Sequence, residues 1–341
     1  MRHCVAVCNA TLGLQLAARA AGLAGEVIVP AFTFVATAHA LQWLGITPIF
    51  ADIDPATHNI DPAHVEALVT ERTTGILGVH VWGRACDVRA LNEIARRHRL
   101  RLLFDAAHAF GCSHDGRALG SFADAEVLSF HATKYVNSFE GGAVTTNDDA
   151  LAARVRAMRN FGFAGEDRVT SLGINAKMSE VAAAMGLTSL ECADAIAAIN
   201  RGNHAAYRRG LDGISGVEVV TYPDGERHNH QFVVLEIETG AAGLSRDELR
   251  DVLLAEGVLA RRYFHPGCHR AEPYRSRPSG SRLPHTDAVA ARVLSLPTGP
   301  AVDSESIMEI CQIVRLSLGA ADLVRTRVAA AGRGRGAQGL C

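Results

Sequence analysis

Lys134 is the residue whose type and setting most clearly indicate covalent chemistry in this sequence. The chain has 341 residues and 34 lysines plus arginines, yet only Lys134 and Lys177 are lysine. Lys134 follows the apolar run AEVLSF, so we expect it just beyond the end of a buried strand. There its pKa would be lowered, and the neutral amine could form a Schiff base with a carbonyl compound. The alternative is an ordinary lysine on a surface loop.

Asp105 and His108 belong to the motif FDAAHAFG, and Asp105 stands 29 residues before Lys134, one strand–helix–strand unit away. A buried carboxylate is unfavourable without a cationic partner, and a protonated pyridine nitrogen supplies one. His108 could then cover a flat ring. Alone, Asp105 could be a helix cap and His108 a core histidine. Together with Lys134 they favour pyridoxal 5′-phosphate, PLP, as the cofactor.

The segment NATLGL, which starts at Asn9, has the composition of an anion-binding helix start. Small residues and the hydroxyl of Thr11 stand where a predicted helix begins, so free backbone N–H groups and a side-chain donor would face an anion. The same composition is found in ordinary helix caps. We interpret it as a phosphate site because it accompanies the two motifs above.

Six short apolar runs, separated by amphipathic helical patterns, must position these residues. The runs lie at 27–30, 47–53, 75–81, 101–107, 125–130 and 142–146. Their alternation with helices predicts an α/β fold with a mostly parallel sheet and helices on both faces. Ligands of such sheets bind at the carboxyl ends of the strands, which directs attention to Asp105, Ser129 and His131.

The sequence beyond the sheet predicts a second, smaller domain. Residues 179–201 are predicted to form one alanine-rich helix, and the elements after it are expected at 217–221, 231–238, 246–256 and 304–318. We therefore expect a large domain over 1–203, a smaller C-terminal α+β domain over 204–330 and a disordered tail over 331–341. The segment 267–285, rich in Pro, Arg, Ser and Gly, is expected to be a surface loop.

The composition favours a small-molecule or protein partner over nucleic acid or a membrane. The formal net charge of -2 provides no basic field, and no apolar segment reaches the roughly 18 residues of a membrane span. The eight cysteines form no C-x-x-C pair, so we predict free thiols in the cytoplasm and no metal site. Polar residues interrupt the apolar stretch at 4–25, which disfavours a secretory signal.

The ordered series of motifs resembles the DegT/DnrJ/EryC1/StrS family of sugar aminotransferases over nearly the whole chain. The further matching segments are EVIVPAFTF, PIFADIDPATHNID, HVWGRACD, SFHATK, EGGAVTTND, GINAKMSE, YFHPGCH and LPTG. The resemblance implies the PLP-dependent transferase fold of type I with a seven-stranded sheet, and a homodimer with the cofactor at the subunit boundary. Family members normally have a further segment before the phosphate turn, so a shortened N-terminus is expected here.

The resemblance also assigns the residues around the cofactor ring. It implies that Lys134 is the catalytic lysine that forms the Schiff base and that Asp105 pairs with the pyridine nitrogen. His108 would lie against one side of the ring, and Phe34 of the PAFTF motif would stack on the other.

The phosphate and substrate positions are implied in the same way. Thr11, the Leu12 amide and Ser129 would hold the cofactor phosphate, and Asn175 in GINAKMSE would reach it from the neighbouring subunit. His269 in YFHPGCH resembles a substrate-side position.

The activity implied by the resemblance is transfer of an amino group from an amino acid, L-glutamate, to a nucleotide-linked keto-deoxysugar. The expected acceptor is dTDP-4-keto-6-deoxyhexose, within the amino-sugar biosynthesis of secondary metabolism. Some relatives carry histidine in place of the lysine and act as dehydratases, so Lys134 favours transamination. A 3-keto sugar or a keto-cyclitol is the alternative acceptor, and an inactive PLP-binding regulator is the alternative of another class. A desulfurase would need a cysteine over the ring, and the HPGCH context of Cys268 fits the sugar family better.

Overall fold

A computed structural model describes residues 1–275 and 282–327 of the chain. The strands are β1 His3–Val7, β2 Glu26–Pro30, β3 Thr47–Ala51, β4 Thr73–Val79, β5 Arg101–Asp105, β6 Ser113–His114, β7 Arg117–Ala118, β8 Ala125–Ser129, β9 Gly142–Thr146, β10 Val217–Val219, β11 Val233–Ile237 and β12 Val293–Leu296. The helices are α1 Ala10–Ala20, α2 Ala36–Gln42, α3 Pro62–Leu68, α4 Val88–His98, α5 Asp149–Met158, α6 Glu180–Glu191, α7 Ala193–Leu211, α8 Thr239–Ala242, α9 Arg246–Ala255, α10 Pro284–Arg292 and α11 Ser304–Gly319.

A seven-stranded sheet is the frame of the first compact unit, with the strand order β1-β9-β8-β5-β4-β2-β3. The mixed α/β class and the mostly parallel sheet are confirmed, since only β9 runs against its neighbours. All six predicted runs overlap strands of this sheet, and β1 at its edge is the strand that we did not predict. The carboxyl ends of β5 and β8 lie side by side at one edge of the sheet.

Helices cover both faces of this sheet, as the alternation of patterns predicts. The apolar sides of α1, α2 and α5 pack with side chains such as Val127 and Leu103 on one face. The apolar sides of α3 and α4 pack with Ile76 and Phe104 on the other. Neighbouring strand residues therefore belong to opposite layers, as the two-residue period of a strand requires.

The chain divides into two compact units, and the division differs from the single boundary that we predicted near residue 203. The first unit consists of Met1–Ala197, Tyr222–Gln231 and Pro266–Asp287, and the rest of the chain forms the second. In the second unit the antiparallel strands β10, β11 and β12 form a sheet that packs with α7, α9 and α11. The predicted tail at 331–341 lies outside the described residues.

The single helix predicted at 179–201 is two helices in the structure. α6 ends at Glu191, and α7 begins at Ala193 and continues to Leu211, with a bend of 61° between them. Among the described residues, no single helix is long and apolar enough to cross a membrane, although this bent pair meets the length and composition when its two parts are taken together. The loop predicted at 267–285 contains a short 3₁₀ turn at Cys268–Arg270 and the start of α10, and residues 276–281 lie outside the described part.

Candidate active site

Asp105 ends β5, the central strand of the seven-stranded sheet, and its side chain is only 6% exposed. Its Oδ2 accepts a hydrogen bond of 2.8 Å from the Thr37 hydroxyl, and its Oδ1 accepts one of 3.1 Å from the Ala107 N–H. Burial raises the pKa of Asp105, while the two donors and the charge of Lys134 lower it in part. A carboxylate held in this way is suited to pair with a cationic nitrogen.

Thr37 is a site residue that the sequence analysis missed. It lies in the first turn of α2, is fully buried, and its hydroxyl is also 3.0 Å from that of Thr33. The only signal in the sequence is a pair of threonines four residues apart, which places two hydroxyls on one side of a helical turn. Nothing in that spacing connects them to a carboxylate 68 residues further on.

Lys134 lies in the segment after β8, where its backbone N–H donates to the carbonyl of His131 at 2.8 Å. Burial lowers the pKa of Lys134 from 10.5 to about 8, and the Asp105 carboxylate raises it in part. Near pH 8 about half of such amines are neutral, whereas fewer than about 1% are neutral at the ordinary pKa. The structure therefore brings Lys134 and Asp105 within electrostatic reach of each other and leaves the amine ready to exchange a proton.

His108 is a buried, neutral ring beside these two residues. Burial lowers its pKa well below the usual value, and the charge of Lys134 lowers it further. Its Nδ1 accepts a hydrogen bond of 3.3 Å from the Trp82 N–H, and the two rings stack at 15° to each other. The His108 carbonyl accepts hydrogen bonds from the side-chain amides of Asn229 and Gln231, at 2.8 and 3.1 Å. These contacts fix a flat ring near the strand ends, and the sequence analysis did not predict them.

The start of α1 and the end of β8 meet where the phosphate was predicted. Ser129, at the end of β8, pairs with Gly142 of β9. A Cβ on Gly142 would lie 2.8 Å from the backbone nitrogen of Ala10, so only glycine lets the helix start approach this closely. Thr11 is half-buried in the first turn, and the Leu12 N–H donates to Asn9 Oδ1 at 2.9 Å. The phosphate roles of Thr11, Leu12 and Ser129 stay predictions.

The remaining predicted residues are Phe34, Asn175 and His269. Phe34 is 57% exposed and stands three residues before Thr37. Asn175 is exposed, and its Oδ1 accepts a hydrogen bond of 2.8 Å from Lys177 Nζ. The Nε2 of His269 is 3.1 Å from Asp287 Oδ1. The cofactor and substrate roles of these three residues also stay predictions.

The residues at the strand ends fit a flat cationic ring that carries an aldehyde and a phosphate. The buried Asp105 carboxylate suits a ring nitrogen that holds a proton, and the amine of Lys134 suits the aldehyde. His108 offers a flat neutral face, and the close approach of α1 and β9 forms a small cradle beside Ser129. PLP combines these three groups in one molecule.

The comparisons with known proteins agree with this chemistry. The model of the DegT/DnrJ/EryC1/StrS aminotransferase family matches residues 1–315. The dTDP-4-amino-4,6-dideoxy-D-glucose transaminase of Shigella dysenteriae is 37% identical over 308 residues, which cover 90% of this chain and 83% of that protein.

Two solved structures extend the comparison to the whole fold. DesI, determined in the presence of its TDP-sugar product, is 55% identical with a TM-score of 0.92, over 96% of this chain and 84% of that chain. DesV of S. venezuelae, in complex with a ketimine intermediate, is 31% identical with a TM-score of 0.86, over 93% and 85%. The chain therefore belongs to the DegT/DnrJ/EryC1/StrS family of PLP-dependent aminotransferases.

Proposed function

We propose that this protein transfers the amino group of L-glutamate to dTDP-4-keto-6-deoxyhexose and so makes a nucleotide-linked amino sugar. The observation that carries the proposal is the pairing of Lys134, whose pKa is lowered to about 8, with the buried carboxylate of Asp105. The choice of sugar is supported by relatives whose names specify a dTDP-4-amino-4,6-dideoxy-D-glucose transaminase, from Shigella dysenteriae and Escherichia coli, at 37% and 34% identity.

Two other functions have a specific observation in their favour. The dTDP-3-amino-3,4,6-trideoxy-alpha-D-glucose transaminase of Streptomyces venezuelae is 34% identical over 92% of this chain, which supports amination at the third carbon. A pleiotropic regulatory protein of Geobacillus stearothermophilus is 35% identical over 89%, which supports a regulatory role. A keto-cyclitol acceptor is a further alternative.

Lys134 is proposed to move the proton on which transamination depends. PLP, when bound, stabilises negative charge on the substrate carbon next to the transferred nitrogen. The Nζ of Lys134 can take a proton from this carbon when it is neutral and return it when it is charged. With a pKa of about 8, the amine of Lys134 is present in both its neutral and its charged form near neutral pH, so it can take up the proton and return it. An ordinary lysine would be almost entirely charged.

Asp105 is proposed to keep a proton on the ring nitrogen. Its carboxylate is already fixed by the hydroxyl of Thr37 and the N–H of Ala107. It can therefore accept a hydrogen bond from the ring N–H without rearrangement. Burial raises the pKa of Asp105 because the charged carboxylate is unfavourable away from water. A cationic partner would reduce this cost.

The phosphate, the ring faces and the substrate complete the proposed site. His108 and Phe34 would cover the two sides of the ring. Thr11, Leu12 and Ser129 would hold the phosphate at the start of α1, where backbone N–H groups favour an anion. His269 would face the substrate.

A homodimer with Asn175 contributed across the interface is part of the proposal. Large apolar side chains are exposed on the first unit, among them Trp43 at 81% and Leu172 at 82%, and these two line one cleft. Apolar surface of this kind is typical of protein–protein interfaces. We also propose a cytoplasmic location, since the seven described cysteines are free.

The proposed function is tested by mixing the PLP-loaded protein first with L-glutamate and then with a panel of keto-sugar nucleotides. We expect the visible absorbance of the bound cofactor to fall with glutamate and to return with a 4-keto sugar, with an amino-sugar product identified by mass and NMR. Lys134→Arg, which keeps the charge but lacks the reactive amine, should bind PLP without either change. A regulatory protein would bind PLP and leave its spectrum unchanged with glutamate.

A further inference from the structure

The side chain of Gln231 joins the two segments that carry the chemistry of the site. Its Nε2 donates a hydrogen bond of 3.1 Å to the carbonyl of His108, and its Oε1 accepts one of 3.3 Å from the backbone N–H of Tyr135. Tyr135 directly follows Lys134, and His108 stands three residues after Asp105. One amide therefore connects the backbone beside the reactive lysine with the turn that presents His108.

The orientation of the Gln231 amide follows from its two partners. A backbone N–H only donates and a carbonyl oxygen only accepts, so Oε1 must face Tyr135 and Nε2 must face His108. The His108 carbonyl also accepts a hydrogen bond of 2.8 Å from Asn229 Nδ2, which makes use of its second lone pair. The Gln231 side chain is thus fixed at both ends of its amide.

Asn229 holds the backbone of Gln231 in place. It is only 1% exposed, and its Oδ1 accepts a hydrogen bond of 3.1 Å from the Gln231 N–H. Its Nδ2 donates to the carbonyl of Phe110 at 3.0 Å as well as to that of His108. Tyr222–Gln231 belongs to the first compact unit, as do the segments that it contacts. We refer to Asn229 and Gln231 together as the amide strap.

Lys134 depends on such an anchor because its segment has no regular secondary structure. Residues 130–141, which the structure describes in full, form neither helix nor strand. A side chain on such a segment is less precisely placed than one on a helix or strand. The N–H of Lys134 donates within the segment, to His131, whereas the N–H of Tyr135 donates to Gln231, 96 residues further on. The bond to Gln231 therefore fixes the segment, beside Lys134, to another part of the fold.

Tyr135 also packs against the turn that follows His108. Its ring centroid lies 6.1 Å from that of Phe110, and a Cβ on Gly111 would collide with its hydroxyl oxygen. The contact between the two segments therefore does not rest on Gln231 alone. We expect a variant that lacks the Gln231 amide to fold.

The chemistry of Lys134 depends on where its backbone stands. Its charge lowers the pKa of both Asp105 and His108, and burial lowers its own pKa to about 8. A displacement of about 1 Å at a catalytic group can reduce turnover about a hundredfold. A movement of the segment toward solvent would also return the pKa of Lys134 toward its ordinary value of 10.5.

We infer that Gln231 is a positioning residue for the proton transfer of Lys134. Its amide ties the backbone beside Lys134 to the turn that bears His108, and Asn229 keeps the amide in place. The inference rests on the proposed function, in which Lys134 moves the proton. Gln231 acts through the backbone of Tyr135 rather than on the reacting atoms.

Two variants remove the amide in different ways. Gln231→Met keeps the length of the side chain and Gln231→Ala does not, so an effect common to both comes from the hydrogen bonds rather than from volume. The matched control is Asn92→Leu on α4, which removes a half-buried amide that donates to the carbonyls of Val88 and Phe122 at 2.9 and 3.2 Å. Circular dichroism and urea unfolding check that each variant folds.

The first measurement is the pKa of Lys134 in the cofactor-free protein, from the pH dependence of its reductive methylation. The chain has only two lysines, so peptide mass spectrometry follows each of them separately. We expect a pKa of about 8 in the wild type and in Asn92→Leu. In both Gln231 variants the pKa should rise by at least about one pH unit, because the released segment exposes the amine to water. A purely structural role would lower stability and leave this pKa unchanged.

The second measurement is the rate at which L-glutamate changes the visible absorbance of the PLP-loaded protein. In both Gln231 variants the maximal rate should fall at least about tenfold, because it depends on the position of the Lys134 amine. The glutamate concentration that gives half of this rate should stay within about twofold, since binding does not use that amine. Asn92→Leu should match the wild type in both quantities.

The outcomes separate this inference from the proposed function. An unchanged Lys134 pKa, or a maximal rate within about twofold of the wild type, in both Gln231 variants would overturn the inference. An effect in Gln231→Ala alone would assign it to volume, and an equal effect in Asn92→Leu would make it unspecific; either result also overturns the inference. If the wild type does not react with glutamate, or Lys134→Arg reacts as fast as the wild type, the proposed function fails first. If Lys134→Arg is inactive while the Gln231 variants match the wild type, this inference fails alone.

Discussion

Replacing Lys134 by methionine is expected to stabilise the cofactor-free protein at neutral pH, because the fold withdraws this ammonium from water. Burial lowers the pKa of Lys134 from 10.5 to about 8, although the Asp105 carboxylate offsets part of the effect. Below pH 8 the amine is charged in both the folded and the unfolded chain, and the folded chain bears the full cost. At about 1.4 kcal/mol for each pH unit, this cost is about 3 kcal/mol.

The sign of the pH dependence follows from which state loses its proton first. Between pH 8 and 10.5 the folded chain has released the proton while the unfolded chain still holds it, so the stability of the wild type relative to Lys134→Met rises with pH. Above pH 10.5 both states are neutral and the cost is gone. The advantage of the methionine variant should therefore shrink by about 3 kcal/mol between pH 7 and pH 10.5.

Urea unfolding of the cofactor-free proteins at several pH values measures this difference directly. The variants are compared at equal protomer concentration, because association changes apparent stability. Arg208→Met, which removes an exposed charge on α7, serves as the control, and its effect should not depend on pH in this range. A stability difference between wild type and Lys134→Met that is constant from pH 7 to 10.5, or that grows with pH, would refute the reasoning.

Three further substitutions test other parts of the structure. Thr37→Val should weaken PLP binding about tenfold in an equilibrium titration, because Asp105 loses a charge-assisted hydrogen bond of 2.8 Å, whereas Thr37→Ser should bind normally; equal affinities would contradict this role. Gly142→Ala places a Cβ 2.8 Å from the backbone nitrogen of Ala10, so we expect a lower melting temperature together with weaker PLP binding. A lower melting temperature with unchanged PLP affinity would show that Gly142 does not shape the phosphate site. Arg246→Met leaves the buried carbonyls of Ala290 and Val293 without their guanidinium donor, which should destabilise the protein by about 3 kcal/mol in urea unfolding without changing PLP affinity.

The parallel strands could be predicted because each is a short apolar run set between helical patterns. β1 could not, because the five residues His3–Val7 stand directly before a helical pattern and are defined by their pairing with β9, more than a hundred residues later. The division of the chain differs for a similar reason. Tyr222–Gln231 and Pro266–Asp287 belong with the first unit through tertiary contacts that no local composition reveals.

Local propensity also explains the error at 179–201. An alanine-rich sequence favours helix at every position, so the pattern predicts one uninterrupted helix. The structure ends α6 at Glu191 and starts α7 at Ala193 with a bend of 61°, and helix propensity alone does not mark this break.

The chemical core of the site was accessible from the sequence, whereas its supports were not. Lys134 and Asp105 have side chains that are costly to bury, which makes them recognisable at strand ends. Thr37, Trp82 and Asn229 act through hydrogen bonds to residues between 26 and 121 positions away, and threonine, tryptophan and asparagine have many structural uses. Only the fold brings these side chains to Asp105 and His108.

Borohydride reduction of the PLP-loaded protein, followed by peptide mass spectrometry, tests the central claim most directly. The chain offers only two lysines, so the position of the trapped cofactor can be read without ambiguity. We expect the pyridoxyl group on the peptide that contains Lys134, and none on that peptide in Lys134→Arg. A pyridoxyl group on Lys177, or no modified lysine in protein that has bound PLP, would contradict the account.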